Sequence, residues 1–87
     1  MNLYLLEAVE GPAPGRTHEF RVFAEDMQHA RRLAEAHARC HDTDPVDWIS
    51  VFETYCTLLK CTIPFQTAGI ALSERTVRLP LNGEKDE

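Results

Sequence analysis

His37, Cys40, His41, Cys56 and Cys61 make up the densest set of side chains able to act as nucleophiles or metal ligands in this 87-residue chain. A tetrahedral zinc site needs four such donors, and His37, Cys40, Cys56 and Cys61 are chemically adequate. The spacing argues against it, because structural zinc favours two-residue knuckles and Cys56 and Cys61 stand five positions apart. Three cysteines are an odd number in a chain whose start lacks an export signal, so reduced thiols used as packing material are expected. A Cys40 nucleophile would have His37 one turn before it and His41 beside it, but no orienting third group or oxyanion loop can be named. Glu7 and Glu19 could face one another across a hairpin as an acid–base pair. Like charges directly opposite are destabilising, however, and exposed hairpin charges account for them more simply. Phosphate-cradling glycine motifs do not occur, and Gly11-Pro12-Ala13-Pro14-Gly15 is too rich in proline to present successive amides to an anion. The expectation is a protein that is not an enzyme and uses neither metal nor cofactor.

Charge points the same way. Nine basic side chains against fourteen acidic ones leave a net charge of -5, which opposes direct binding to nucleic-acid phosphate. A protein partner is more natural, above all one that itself handles nucleic acid. Asp42, Asp44, Asp47 and Glu53 form the densest acidic run, with no Lys or Arg between Arg39 and Lys60. Such a run could imitate phosphate in a basic groove; the plainer reading is a solubilising loop with a helix cap. Arg31, Arg32 and Arg39 offer a second surface of opposite sign, either for an acidic partner or as an ordinary solvated face. No stretch approaches the roughly 18 apolar residues of a membrane span, and Met1-Asn2-Leu3-Tyr4 lacks the basic start of a signal peptide, so a cytoplasmic protein is expected.

The elements that must position these groups follow from period and punctuation. Asn2 to Val9 and His18 to Ala24 read as strands joined by the loop Glu10–Thr17, which holds two prolines and two glycines. At Asp26 the period changes from two to about 3.6, and Asp26 is a good N-cap for a helix reaching about Cys40. Ala30, Leu33, Ala34 and His37 share one stripe, which predicts a packed, hydrogen-bonded His37; Glu35 and Arg39 stand in favourable i,i+4 order on the outer side, with Gln28, Arg31 and Arg32. Tyr4, Leu6, Phe20, Val22, Leu33 and Ala34 are the expected core. From 45 to 60 two signals disagree. Asp44 as cap with Pro45 after it reads as a helix start, whereas the absence of alanine and the wealth of Val, Trp, Ile, Phe, Thr, Tyr and Cys favour strand, with Tyr55 to Thr62 alternating until Pro64. Phe65 to Leu72 reads as a glycine-marked link and Thr76 to Leu81 as an edge strand limited by Pro80. The expected fold is α+β: a small antiparallel sheet with one packed helix, ordered β-β-α and then strands. It forms a single domain over 1–81 with a polar tail at 82–87; the alternative is a second helix at 45–60.

Taken together, Leu3-Tyr4-Leu5, Phe20-Arg21-Val22-Phe23-Ala24-Glu25-Asp26, Ala30-Arg31-Arg32-Leu33-Ala34, Trp48 and Cys56 resemble a loose group of small phage and mobile-element proteins that includes several anti-CRISPR inhibitors. The resemblance covers about the first 60 residues; the proline loop and the Asp44-Pro45 start depart from it. It implies stoichiometric binding to a nuclease or CRISPR surveillance complex in the host cytoplasm, and it supplies no site residues. The competing expectation is a structural or housekeeping homodimer that buries the uncovered face of the first strand.

Overall fold

The computed structural model describes residues 1–76. Strands β1 (Asn2–Ala8) and β2 (Arg16–Ala24) form an antiparallel hairpin in which Leu6 lies opposite Phe20 and Tyr4 opposite Val22. Gly11 and Gly15 turn the connecting loop with φ of +80° and +77°, a region that L side chains avoid. At Gly15 space is also closed, since a Cβ there would lie 2.7 Å from Thr43 Oγ1. The Thr43 amide in turn donates to the Gly15 carbonyl at 3.2 Å, which pins the hairpin loop to the chain leaving the helix.

Helix α1 (Met27–His41) starts where the cap chemistry predicts: the Asp26 carboxylate accepts from the His29 amide at 2.7 Å. Ala30, Ala34 and Ala38 are fully buried along one stripe, and their small side chains let the helix axis approach the sheet. That close approach corrects one core assignment: Leu33 is only partly buried, at the border of the alanine stripe.

No helix forms at 45–60. The Asp44 carboxylate, expected as its cap, is held by Arg16 Nη2 at 2.9 Å, and the chain runs through turns from 47 to 53 into strand β3 (Thr54–Lys60). Pairing settles the conflict between period and composition, because β3 hydrogen-bonds along the outer side of β1 with Cys56 opposite Leu6 and Thr57 opposite Leu5. After β3 the chain crosses the sheet end, where the Ile63 amide donates to the Met1 carbonyl at 2.7 Å, and returns as β4 (Gly69–Thr76) on the far side of β2. The stretch read as a link thus enters a strand at Gly69, earlier than the edge strand expected at Thr76. The remainder of that stretch, with Pro80, and the tail at 82–87 lie outside the described residues.

The result is an α+β fold, a four-stranded antiparallel sheet in the order β3-β1-β2-β4 with α1 packed on one face. Tyr4, Leu6, Ala8, Phe20, Val22 and Ala24 meet the helix alanines, and Val46 and Trp48 close the core from the segment after the helix. A bulge at His18 shifts the parity of β2, so that Thr17 is buried on the helix side. The opposite face, bearing Leu3, Leu5, Glu7, Glu19, Arg21 and Phe23, is covered by no helix among the described residues.

Candidate functional site

The four carboxylates of the acidic run go to different places. The side chain of Asp42 is 0% exposed and accepts from the Thr17 amide at 2.9 Å, the Thr17 hydroxyl at 3.0 Å and Arg75 Nη2 at 2.7 Å. It is a clasp between the end of α1 and strands β2 and β4, and it is withdrawn from the surface on which the sequence placed it. Asp44 lies outside but is paired with Arg16, which also reaches Glu10 at 3.5 Å. Asp47 and Glu53 are exposed, one near each end of the turn segment, and Asp47 also accepts from the Ile49 amide at 3.1 Å. A single patch of four phosphate-like charges does not form.

The arginines separate in the same manner. Arg31, expected on the solvated side, is turned under the turn segment. It donates to the Trp48 carbonyl at 3.1 Å, the Ser50 carbonyl at 3.2 Å and the Thr54 hydroxyl, while that hydroxyl donates to the Ser50 carbonyl at 2.8 Å. Glu35 accepts from the Trp48 amide at 3.0 Å through one oxygen and from Arg39 at 3.0 Å through the other. The expected i,i+4 pair exists, then, but its carboxylate also fixes the loop. Of the three arginines named from the sequence, Arg32 and Arg39 are exposed; Arg39 is paired with Glu35, and Arg32 is joined to neither anchor.

Held from below by Arg31, Glu35 and buried Trp48, the turn segment presents Ile49, Val51 and Phe52 outward, Phe52 at 88% exposure. An apolar groove of about 480 Å³ runs between this loop and α1, lined by Met27, Gln28, Arg31, Arg32, Ile49 and Val51. On the loop's other side a recess of about 110 Å³ lies beside Val9, Val46, Phe52 and Glu53. Burying a phenylalanine is worth roughly 1.5–3 kcal/mol, so a side chain left this open on an anchored loop is ready to be covered. Sequence reasoning missed this loop by treating 45–62 as one regular element; the turn formers Asp47 and Ser50, interrupting the apolar run, were the available signal.

The reactive side chains are dispersed. Cys40 and Cys61 are exposed, and Cys56 is half-buried, where burial pushes its thiol up against the opposing effect of the Arg31 guanidinium. His37 packs its ring edge-on to Phe20 at 5.4 Å and lies 4.3 Å from the His41 ring. Its Nδ1 is buried without a partner, which corrects the expectation of a hydrogen-bonded histidine. Burial holds its pKa below the ordinary value; His41 and Arg75 act in the same direction and Asp42 against them. Among the described residues no three His, Cys, Asp or Glu side chains gather as a metal would need, so His37, Cys40, Cys56 and Cys61 are not brought together. Glu7 and Glu19 do stand directly opposite, and Glu19 is opposite Glu74 in turn, on the open sheet face where Arg21 approaches Glu19 at 3.8 Å.

No protein-family model matches the chain, and no curated protein or solved structure matches it either. Among the described residues no helix is long and apolar enough to cross a membrane.

Proposed function

We propose that this protein acts by stoichiometric binding, without chemistry of its own, to a nucleic-acid-handling protein complex, as a phage-encoded inhibitor of CRISPR-type defence working in the host cytoplasm. The observation that carries the reading is the 47–53 loop: exposed Ile49, Val51 and Phe52 between the carboxylates of Asp47 and Glu53, on a base fixed by Arg31 and Glu35. An apolar centre with a charged rim on a pre-ordered loop is the anatomy of a protein contact, because little entropy remains to be lost on docking. The acidic rim and the net charge of -5 favour a basic surface such as a nucleic-acid channel and give an association rate that falls with salt. The sequence resemblance to anti-CRISPR inhibitors selects the class of complex.

Titration of purified CRISPR effector complexes in a DNA-cleavage assay tests it. Inhibition should be complete near one protein per complex, and Phe52→Ala should raise the concentration needed by at least roughly tenfold, as for a central contact residue. Reversing Asp47 and Glu53 to Lys should slow association most at low salt. Inhibition by none of the effector classes at molar excess would end the proposal, and full potency in Phe52→Ala would remove the loop from it.

A further inference from the structure

The two edges of the sheet are not alike. The outer edge of β4 is broken by a bulge between its pairs with Arg21 and Val22 and carries the charges of Glu74 and Arg75. Both are ordinary ways of keeping an edge from pairing. β3 has one charge, Lys60 at its last position, and among the described residues no strand pairs with its outer side. Tyr55 is 59% exposed there, and Leu58 and Leu59 are exposed as well. The Glu53 carbonyl accepts from the Val9 amide at 2.9 Å, so strand alternation turns the amides and carbonyls of 54, 56 and 58 away from β1, toward solvent.

The order of residues along this edge is self-complementary. When the strand is laid antiparallel on a copy of itself about Thr57, Tyr55 falls opposite the partner's Leu59 on one face and Cys56 opposite the partner's Leu58 on the other. The same overlay sets Lys60 opposite the partner's Thr54, one position from the partner's Glu53, twice by symmetry. A parallel overlay would instead set Lys60 on Lys60 and Glu53 on Glu53. We propose that the outer edge of β3 pairs antiparallel with β3 of a second copy about a two-fold axis through Thr57, joining the two sheets into one. The bulge at Leu59 and Lys60 limits the ladder to its central residues, where 56 and 58 of the two chains exchange backbone hydrogen bonds. Of the 47–53 loop contact this interface shares Glu53 alone; Phe52 and its apolar neighbours precede the paired segment, so Phe52→Ala should leave self-association unchanged.

Sedimentation velocity of the full chain over a wide concentration range is the test, with three sets of variants. The unmodified chain should pass from one copy to two as concentration rises. Lys60→Glu and Glu53→Lys should each weaken association roughly tenfold, since each turns two rim attractions into repulsions, and the double reversal should restore it. Thr57→Cys should form an intermolecular disulfide under mild oxidation, mapped by peptide mass spectrometry, because position 57 meets its own copy as a non-hydrogen-bonded pair with Cβ atoms about 4.5–5.5 Å apart. Tyr55→Cys, which the two-fold keeps from its own copy, should not. A chain that stays single at every concentration overturns the proposal. So do charge reversals that leave association unchanged without rescue, or cross-linking that is as efficient at 55 as at 57.

Discussion

Two charged side chains tie α1 to the rest of the molecule, and they do so in opposite ways. At the C-terminal end Asp42 is answered by a cation, Arg75, and by the amide and hydroxyl of Thr17, so the anion is neutralised where it is buried. Toward the N-terminal end Arg31 is answered by neutral oxygens alone, those of Trp48, Ser50 and Thr54, all from the segment that carries the exposed apolar side chains. The first arrangement joins two strands to a helix and concerns the fold. The second gathers carbonyls of one loop around a fixed cation and so dictates the loop's shape. Charge named from the sequence as surface charge thus became, in one place, a structural clasp and, in the other, the support of the surface itself.

Breaking the support from within should have the largest effect. Trp48 is fully buried, edge-on to Phe20 at 4.9 Å, and Trp48→Ala should cost about 3–5 kcal/mol in denaturant unfolding. A loss below about 1 kcal/mol would mean that packing does not anchor the loop and that Arg31 does so alone. Next come the clasps themselves. Asp42→Ala leaves the Thr17 amide buried without its acceptor and Arg75 without its anion, and should cost about 2–3 kcal/mol spread over the whole domain. Arg31→Met keeps the side-chain bulk but frees the loop carbonyls, and should cost about 1–2 kcal/mol. Hydrogen exchange sharpens the contrast: Arg31→Met should speed exchange chiefly at 49–53, and Asp42→Ala everywhere its global stability falls. Equal exchange profiles in the two variants would erase the distinction between fold and surface.

The smallest effect is pH dependence beside the Asp42 clasp. Burial lowers the His37 pKa below its ordinary 6.5, so the unfolded chain takes up the proton first. The contribution of neutral His37 is therefore complete above that value and is lost as pH falls through it toward the lowered folded value. The unfolding midpoint should drop as pH falls below about 6.5, and His37→Phe should flatten that slope. An unchanged slope in His37→Phe would assign the dependence to another group.

The β1–β2 hairpin, the Asp26 cap and the alanine stripe of α1 were legible because each is decided within a few residues: alternation, a carboxylate three positions from a free amide, small side chains at helical spacing. The 45–60 region was not. Its local signals were nearly balanced, and the outcome was decided by Arg16, which took the Asp44 carboxylate, and by the outer side of β1, which offered β3 a ladder. Leu33 lost its place in the core for a similar reason, since the helix came close enough through its alanines to leave the leucine at the border. The sequence by itself determined the fold class, the helix and its start, and the inner residues of the first two strands. Only tertiary structure decided which of Asp42, Asp44, Asp47, Glu53, Arg31, Arg32 and Arg39 face solvent. A charged side chain's location depends on partners brought near from distant positions in the chain, and local period carries no record of them.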